Sequence, residues 1–452
     1  MTRRFPNVRS IAVLLVLFSP GILALTAEEK VARLSTDLTP VGAERAGNGS
    51  DIPEWKGGLA KDDSEPAGTF HKDPFASDIP FLRISAANIV EHKNRLSAGQ
   101  IAMLQRFPDM YFDVYPTHRS ASYPDYVYDA IKVNAERAQL MKYGAGVTGA
   151  TMSSPFPIPE NGLEALWNHT LRFRGQTLNY TAVASAVASN GLRSDTLRLY
   201  EYYVRYSEKG LEPEELDNKI FFLKRKTLAP AKLSGAITLV HETLDQVRSP
   251  RKSWIYVPGQ RRLRRTPDLA YDTSDSNTNS IRTIDQVDMF NGAPDYYDWS
   301  LLGKQEMYIP YNSYKVHQNT LKIDDILHTN HLNSALLRYE AHRVWVVEAN
   351  LRVGFSHRYA KRRYYLDEDS WSIIYAEEYD DTGTLLQVTE SHTINYYDQQ
   401  LIFPTLEVTY DFTSGQYYVE GLDNERPKTF DFSFKLTEED FSTNAVRREA
   451  KR

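Results

Sequence analysis

The 452-residue sequence predicts an α+β chain: a strongly curved antiparallel sheet or incomplete β-barrel, preceded by an added N-terminal region of helices and extended chain. After about Arg174, short runs rich in Tyr, Val, Thr and Ile alternate with turn residues, the pattern of strands joined by hairpins. Before that point, apolar residues recur at helical spacing in three places. Apolar residues make up 41% of the chain and charged ones 25%, a balance that buries a real core.

The chain opens with Arg3, Arg4 and Arg9, then the apolar run IAVLLVLFSPGILAL, then polar TAEEK. A basic start, a short apolar centre and a small-residue exit predict a signal peptide over 1–27 and export to the periplasm. Loss of those three arginines takes the net charge from −6 to −9 (−6 − 3). Residues 28–175 are expected to hold an extended arm and helices. In the arm, 38–68, Gly, Pro and Asp abound without period, and Trp55 is the side chain expected to pin it. Ser97 caps a first helix carrying Met103, Leu104 and Phe107, ended by Pro108. Between 124 and 143, Val127, Ile131, Ala135, Ala138 and Met141 form one stripe. Asn161 caps a third helix, with Glu164 completing a capping box and Leu163, Leu166, Trp167 and Leu171 on its apolar face.

The sheet is expected over 176–436, with strands at 236–244, 342–351, 371–379, 385–397, 406–412 and 416–422. Turns at 381–383 and 413–415 join neighbours. Residues 437–452 read as a basic C-terminal tail.

Composition and motif context narrow the function classes. With no cysteine, disulfides, thiolate nucleophiles, cysteine-held metals and an N-terminal lipid anchor on cysteine are excluded. An acidic balance, 53 basic against 59 acidic residues, argues against nucleic acid as partner. Gly144, Gly146 and Gly149 match the dinucleotide spacing, but a helix precedes them and a proline-rich run follows, so they read as a linker. His328 and His331 lie near Asp324 and Asp325 without metal-ligand spacing and read as a polar turn. Glu377 and Glu378, with Asp380 and Asp381, read as solvated charge at a strand end. No catalytic set, metal site or cofactor emerges.

Two aromatic strands and a basic hairpin remain. Trp254 and Tyr256 share one strand face, as do Trp345 and Val347, and these four are the candidate wall for a greasy ligand. In KSWIYVPGQRRLRR, Pro258, Gly259 and Gln260 form a turn that makes KSWIYV and RRLRR successive strand segments. Arg262 and Arg264 then share one face, and Arg261 and Arg265 share the other with Leu263. The four arginines are candidates for contact with a lipid headgroup or an acidic partner surface.

The same stretch, a W-x-Y-x-P…R-x-x-R pattern across a hairpin, resembles lipoprotein-sorting proteins of the LolA/LolB type. More closely, LTPVGAERAGN, PFPIPENGLEALWNH, DMFNGAPDYYDWSLLGKQEMYIPYN and HTNHLNSALLRYEAHRVWVVEANLR resemble a proteobacterial family of unknown function classed as lipoprotein-sorting-like. The resemblance implies a LolA-like half-barrel with an apolar inner face lidded by helices. It also implies a non-catalytic carrier of lipid or another hydrophobic molecule, working with an RND-type inner-membrane exporter, with an outer-membrane component as a further candidate partner. A non-carrying envelope adaptor is the alternative. An exported hydrolase, in which His331 meets Asp324 or Glu340, is the other.

Overall fold

The computed structural model describes residues 26–267 and 271–451. The expected signal peptide lies almost wholly outside the described residues. The Thr26 hydroxyl accepts from the Glu29 amide and caps a helix at Ala27–Leu34. No described helix is long and apolar enough to cross a membrane.

Seventeen strands follow among the described residues. β1 (Leu82–Ser85) pairs with β2 (Tyr111–Val114), while β3 (Gln139–Leu140) and β4 (Val147–Thr148) form a separate ribbon. β5 (Thr177–Val187), β6 (Arg193–Tyr203), β7 (Lys219–Ala229), β8 (Ile237–Thr243), β9 (Lys252–Val257) and β10 (Arg262–Arg265) run as an antiparallel meander. A second meander holds β11 (Tyr297–Pro310), β12 (Tyr339–Leu351), β13 (Lys361–Asp367) and β14 (Ile373–Tyr379). It continues through β15 (Leu385–Tyr396), β16 (Leu401–Asp411) and β17 (Tyr417–Leu422). Antiparallel pairing of β17 with β5 fuses the two meanders. The sheet is curved but not closed, as the α+β reading expects: β10 ends it on one side, and on the other β12 pairs with β11 and, by a parallel bridge from Tyr339 to Val114, with β2. Bulges shift the register in β11, β14 and β17, and an extra unpaired residue bends a strand. In β17 the bulge needs Gly421, whose φ is +95° and whose missing Cβ would sit 2.5 Å from the Thr405 carbonyl oxygen.

Strand alternation gives the sheet an outer and an inner face, and each is covered differently. Outside the second meander, the helix Ala98–Arg106, β1 and β2 pack Met103, Leu104, Ile84 and Phe112 against Val344, Tyr365, Val388 and Val408. Inside it, the helices Asp125–Arg137 and Gly162–Leu171 and the loop bearing Met289 and Phe290 fill the curve against Val347, Tyr364 and Ile394. This half of the concavity is solid core.

The N-terminal arm lies over that core. Trp55 is half-buried and its Nε1 donates to the Ala121 carbonyl, while the Val41 carbonyl accepts from Trp371 Nε1. The second helix ends at Arg137 rather than reaching Tyr143, because Gln139 and Leu140 pair with Thr148 and Val147. Gly149 serves that ribbon, at φ +71°. Within residues 437–451, a turn at Glu438–Phe441 and a helix at Thr443–Glu449 dock on the sheet.

Candidate ligand cavity

The first meander keeps its inner face open. There a cavity of about 300 Å³ lies between β5–β9, the inner faces of β16 and β17, and a covering segment from Ser274 to Asp288. That volume is at the lower end of small-molecule sites, roughly 300–1,000 Å³.

Strand register explains its walls. Opposed residues on neighbouring antiparallel strands share a face. One row therefore crosses the sheet as Arg264, Ile255, Thr238, Arg225, Tyr200 and Tyr180. The parallel row runs Ser253, Val240, Leu223, Tyr202 and Leu178. Exposure falls along the first row from Arg264 and Ile255 to buried Tyr200, so the mouth lies toward β9 and β10. At the inner end Tyr180 is sandwiched between Tyr200 and Phe430, with ring centroids 4.6 and 4.0 Å away.

The floor is charged. Asp288 takes Arg172 at 2.5 Å and Arg174 at 2.6 Å. Burial opposes its ionisation, yet the two guanidiniums hold its carboxyl well below the usual carboxylate range. Arg282 donates from Nε to Thr409 at 2.7 Å, and its Nη1 pairs with Glu420 and lies 3.5 Å from Glu407. Burial pushes the Glu407 carboxyl up to about 8; Arg282 opposes that shift and Glu420 adds to it. The shift favours the protonated acid, the form that can donate a hydrogen bond. A further ion pair, Asp285 with buried Arg362 at 2.6 Å, anchors the covering segment to the filled half of the sheet.

Residues 83–447 match the family model described as "Protein of unknown function (DUF1329)". The chain belongs to this family. It is 42% identical over 441 residues to the uncharacterized protein PA3922 of Pseudomonas aeruginosa, covering 97% of both chains. Among solved structures it is similar to a DUF1329 family protein from Desulfovibrio piger, with 14% identity and a TM-score of 0.42, over 60% of this chain and 92% of that one. Similarity to the LolA superfamily protein NE2245 from Nitrosomonas europaea reaches 16% identity and a TM-score of 0.35, over 64% of this chain and all of that one (100%).

Against this DUF1329 fold the four aromatic-wall candidates fall into two places, neither of them the cavity wall. Trp254 and Tyr256 lie on the outer face of β9, packed with Phe222, Leu239, Phe441 and Val446 under the C-terminal helix. Ser253 and Ile255, the alternate set, face the cavity instead. Trp345 and Val347 do lie on the inner face, but in its filled half, where Trp345 stacks on Trp371 at 6.1 Å. Alternation was read correctly in both strands; what a period of two cannot supply is which face is inner, or where helices fill it.

Of the four arginines, Arg261 has φ +48° and belongs to the turn, so β10 begins at Arg262. Arg262 and Arg264 share the cavity face at the exposed sheet edge, and Arg265 lies opposite Trp254 on the other face. Among the described residues none of the four lies within ion-pair distance of a carboxylate.

Two other readings change. Glu377 and Glu378 are not solvated; both are fully buried in β14, on opposite faces. Glu377 accepts from the Gly99 amide, and burial lifts Glu378 to about 7 beside Arg362. His331 meets neither Asp324 nor Glu340: its Nε2 lies 3.3 Å from Asp109, while Asp324 pairs with Arg193 at 2.7 Å. Glu340 is taken by Arg338, Asn312 and the His118 amide. Tyr180, Tyr200 and Tyr202, the true inner wall, were not singled out in the sequence. The alternation of Leu199, Tyr200, Glu201 and Tyr202 is the signal that marks them.

Proposed function

We propose that this chain is a periplasmic, non-catalytic carrier of a lipid or another hydrophobic molecule, exchanging cargo with an RND-type inner-membrane exporter. One observation carries the reading. Half of the inner face is filled by helices, and the other half keeps a cavity walled by Leu178, Tyr180, Tyr202, Phe221, Leu223 and Phe430.

Physics gives such a space a use. An apolar chain in water costs about 0.8 kcal/mol per CH₂, so one of about sixteen carbons costs ~13 kcal/mol. A concavity that removes part of that surface from water holds the chain without any bond being made. The exposed arginines of β10 stand at the mouth, where an acidic exporter surface, or a headgroup on its way in, would meet them. The name LolA superfamily, borne by one similar structure, agrees with this reading without carrying it.

Thr238→Trp tests it. Thr238 is half-buried on the cavity face at mid-wall, so the indole would occupy the space with little effect on packing elsewhere. A pyrene-labelled acyl probe should bind the wild type and lose at least about tenfold in affinity to the variant, since several buried methylenes are displaced. Equal binding by both would remove the cavity from the account. An envelope adaptor would instead keep its partners in pull-downs with no acyl probe bound.

A further inference from the structure

Charge inside the cavity is unevenly matched, and this goes beyond the carrier reading on which it rests. Arg251 is matched by Glu242 at 2.9 Å. Arg172 and Arg174 share the single carboxylate of Asp288, leaving one positive charge in excess. Arg282 has Glu420, while burial raises the carboxyl of Glu407 beside it and favours its neutral form. Arg282 also lines the cavity, is almost fully buried (3% of the side chain exposed), and its Nη2 has no hydrogen-bond partner. Arg225, half-buried in the middle of the wall row, has no carboxylate within ion-pair distance among the described residues. Among the described residues, Asp275 is the one acidic group on the lining left to set against these. It is half-buried and accepts from the Asn277 amide in its own turn.

Buried guanidinium donors without acceptors are costly, and so is a surplus of positive charge set partly out of water. The same walls present the Tyr200–Tyr180–Phe430 stack within one cavity. A purely apolar cargo would use the rings and leave Arg225 without a counter-charge and Arg282 Nη2 without an acceptor. A cargo with one anionic group would satisfy both sets.

We infer that the cavity selects an amphiphile with an anionic head, a carboxylate or a phosphate. The head is held inside the cavity by Arg225 and Arg282, and the tail lies along the stacked aromatic wall. Neutral Glu407 fits this arrangement: a protonated acid donates to an anion, whereas an ionised one would repel it.

The test compares matched probes on the full-length mature protein after delipidation. Dansylaminoundecanoic acid is set against its methyl ester, and NBD-labelled phosphatidylglycerol against the phosphatidylcholine analogue. In at least one pair the anionic probe should bind about tenfold or more tightly, the scale of a charge-assisted hydrogen bond. Whichever pair shows the preference distinguishes a free carboxylate from a phosphate headgroup. Arg225→Gln should bring the two affinities of that pair to within about twofold, and Arg225→Lys should keep most of the difference. Circular dichroism and the urea midpoint identify a variant that has merely failed to fold; the wild-type ratio stands without it. Equal affinity within both pairs would overturn the anionic head and leave the carrier reading intact. No binding of any probe would overturn both.

Discussion

Glu407→Gln replaces a buried acid by a neutral amide of the same shape, so it isolates a single proton. The Glu407 carboxyl is lifted from an ordinary 4.5 to about 8, chiefly by burial. Below pH 4.5 the acid is protonated whether the chain is folded or not, and its contribution to stability is fully present. Between pH 4.5 and 8 the unfolded chain releases the proton while the folded chain keeps it. Stability from this group therefore falls as pH rises, and is lost above the folded value. A shift of about 3.5 units, at about 1.4 kcal/mol per unit, sets a ceiling near 5 kcal/mol. Water entering the open cavity screens the charge, which brings the expected effect to about 1–3 kcal/mol. Urea midpoints of delipidated wild type and variant, followed by tryptophan fluorescence from pH 5 to pH 9, measure it. The variant should gain on the wild type steadily across that range. Two parallel profiles would refute a neutral Glu407 and the charge pattern derived from it.

Three further outcomes follow from the geometry. Trp254→Ala should cost about 2–3 kcal/mol, because the half-buried indole packs under the C-terminal helix, and should leave acyl-probe affinity unchanged since it faces away from the cavity. Asp288→Asn strips the shared carboxylate from buried Arg172 and Arg174 and should lower stability by about 3–5 kcal/mol, read as a drop in urea midpoint. The double substitution Arg262→Glu and Arg264→Glu reverses charge on an exposed edge, so the fold should hold while cargo loading or exporter docking fails; unchanged transport would make the cluster a solvated edge.

The sheet was legible because strands with one covered face must alternate, and turn residues mark their ends. β8, β12, β14, β15 and β17 fall within a few residues of their expected limits. β16 starts earlier than expected, at Leu401, since Pro404 within it masks the pattern. The helix capped by Ser97 was equally clear, because its cap and apolar side are encoded locally. The cavity was not legible, and the reason is physical. Trp254 and Ile255 are adjacent in sequence and lie on opposite sides of a sheet, and only tertiary covering decides which is inside. The floor is assembled from Arg174, Arg282, Asp288, Glu407 and Glu420, drawn from three distant segments with no shared period. Glu377 and Glu378 illustrate the same gap. Acidic pairs default to solvent until a helix amide at Gly99 and a buried guanidinium at Arg362 take them.

The central claim is that the open half of the inner face holds an amphiphile. Native mass spectrometry of the protein released gently from the periplasm tests this most directly. The account predicts one added mass of lipid size per chain, removed by organic extraction and absent from Thr238→Trp. A bare chain mass in the wild type, with no lipid recovered from the extract, would contradict it.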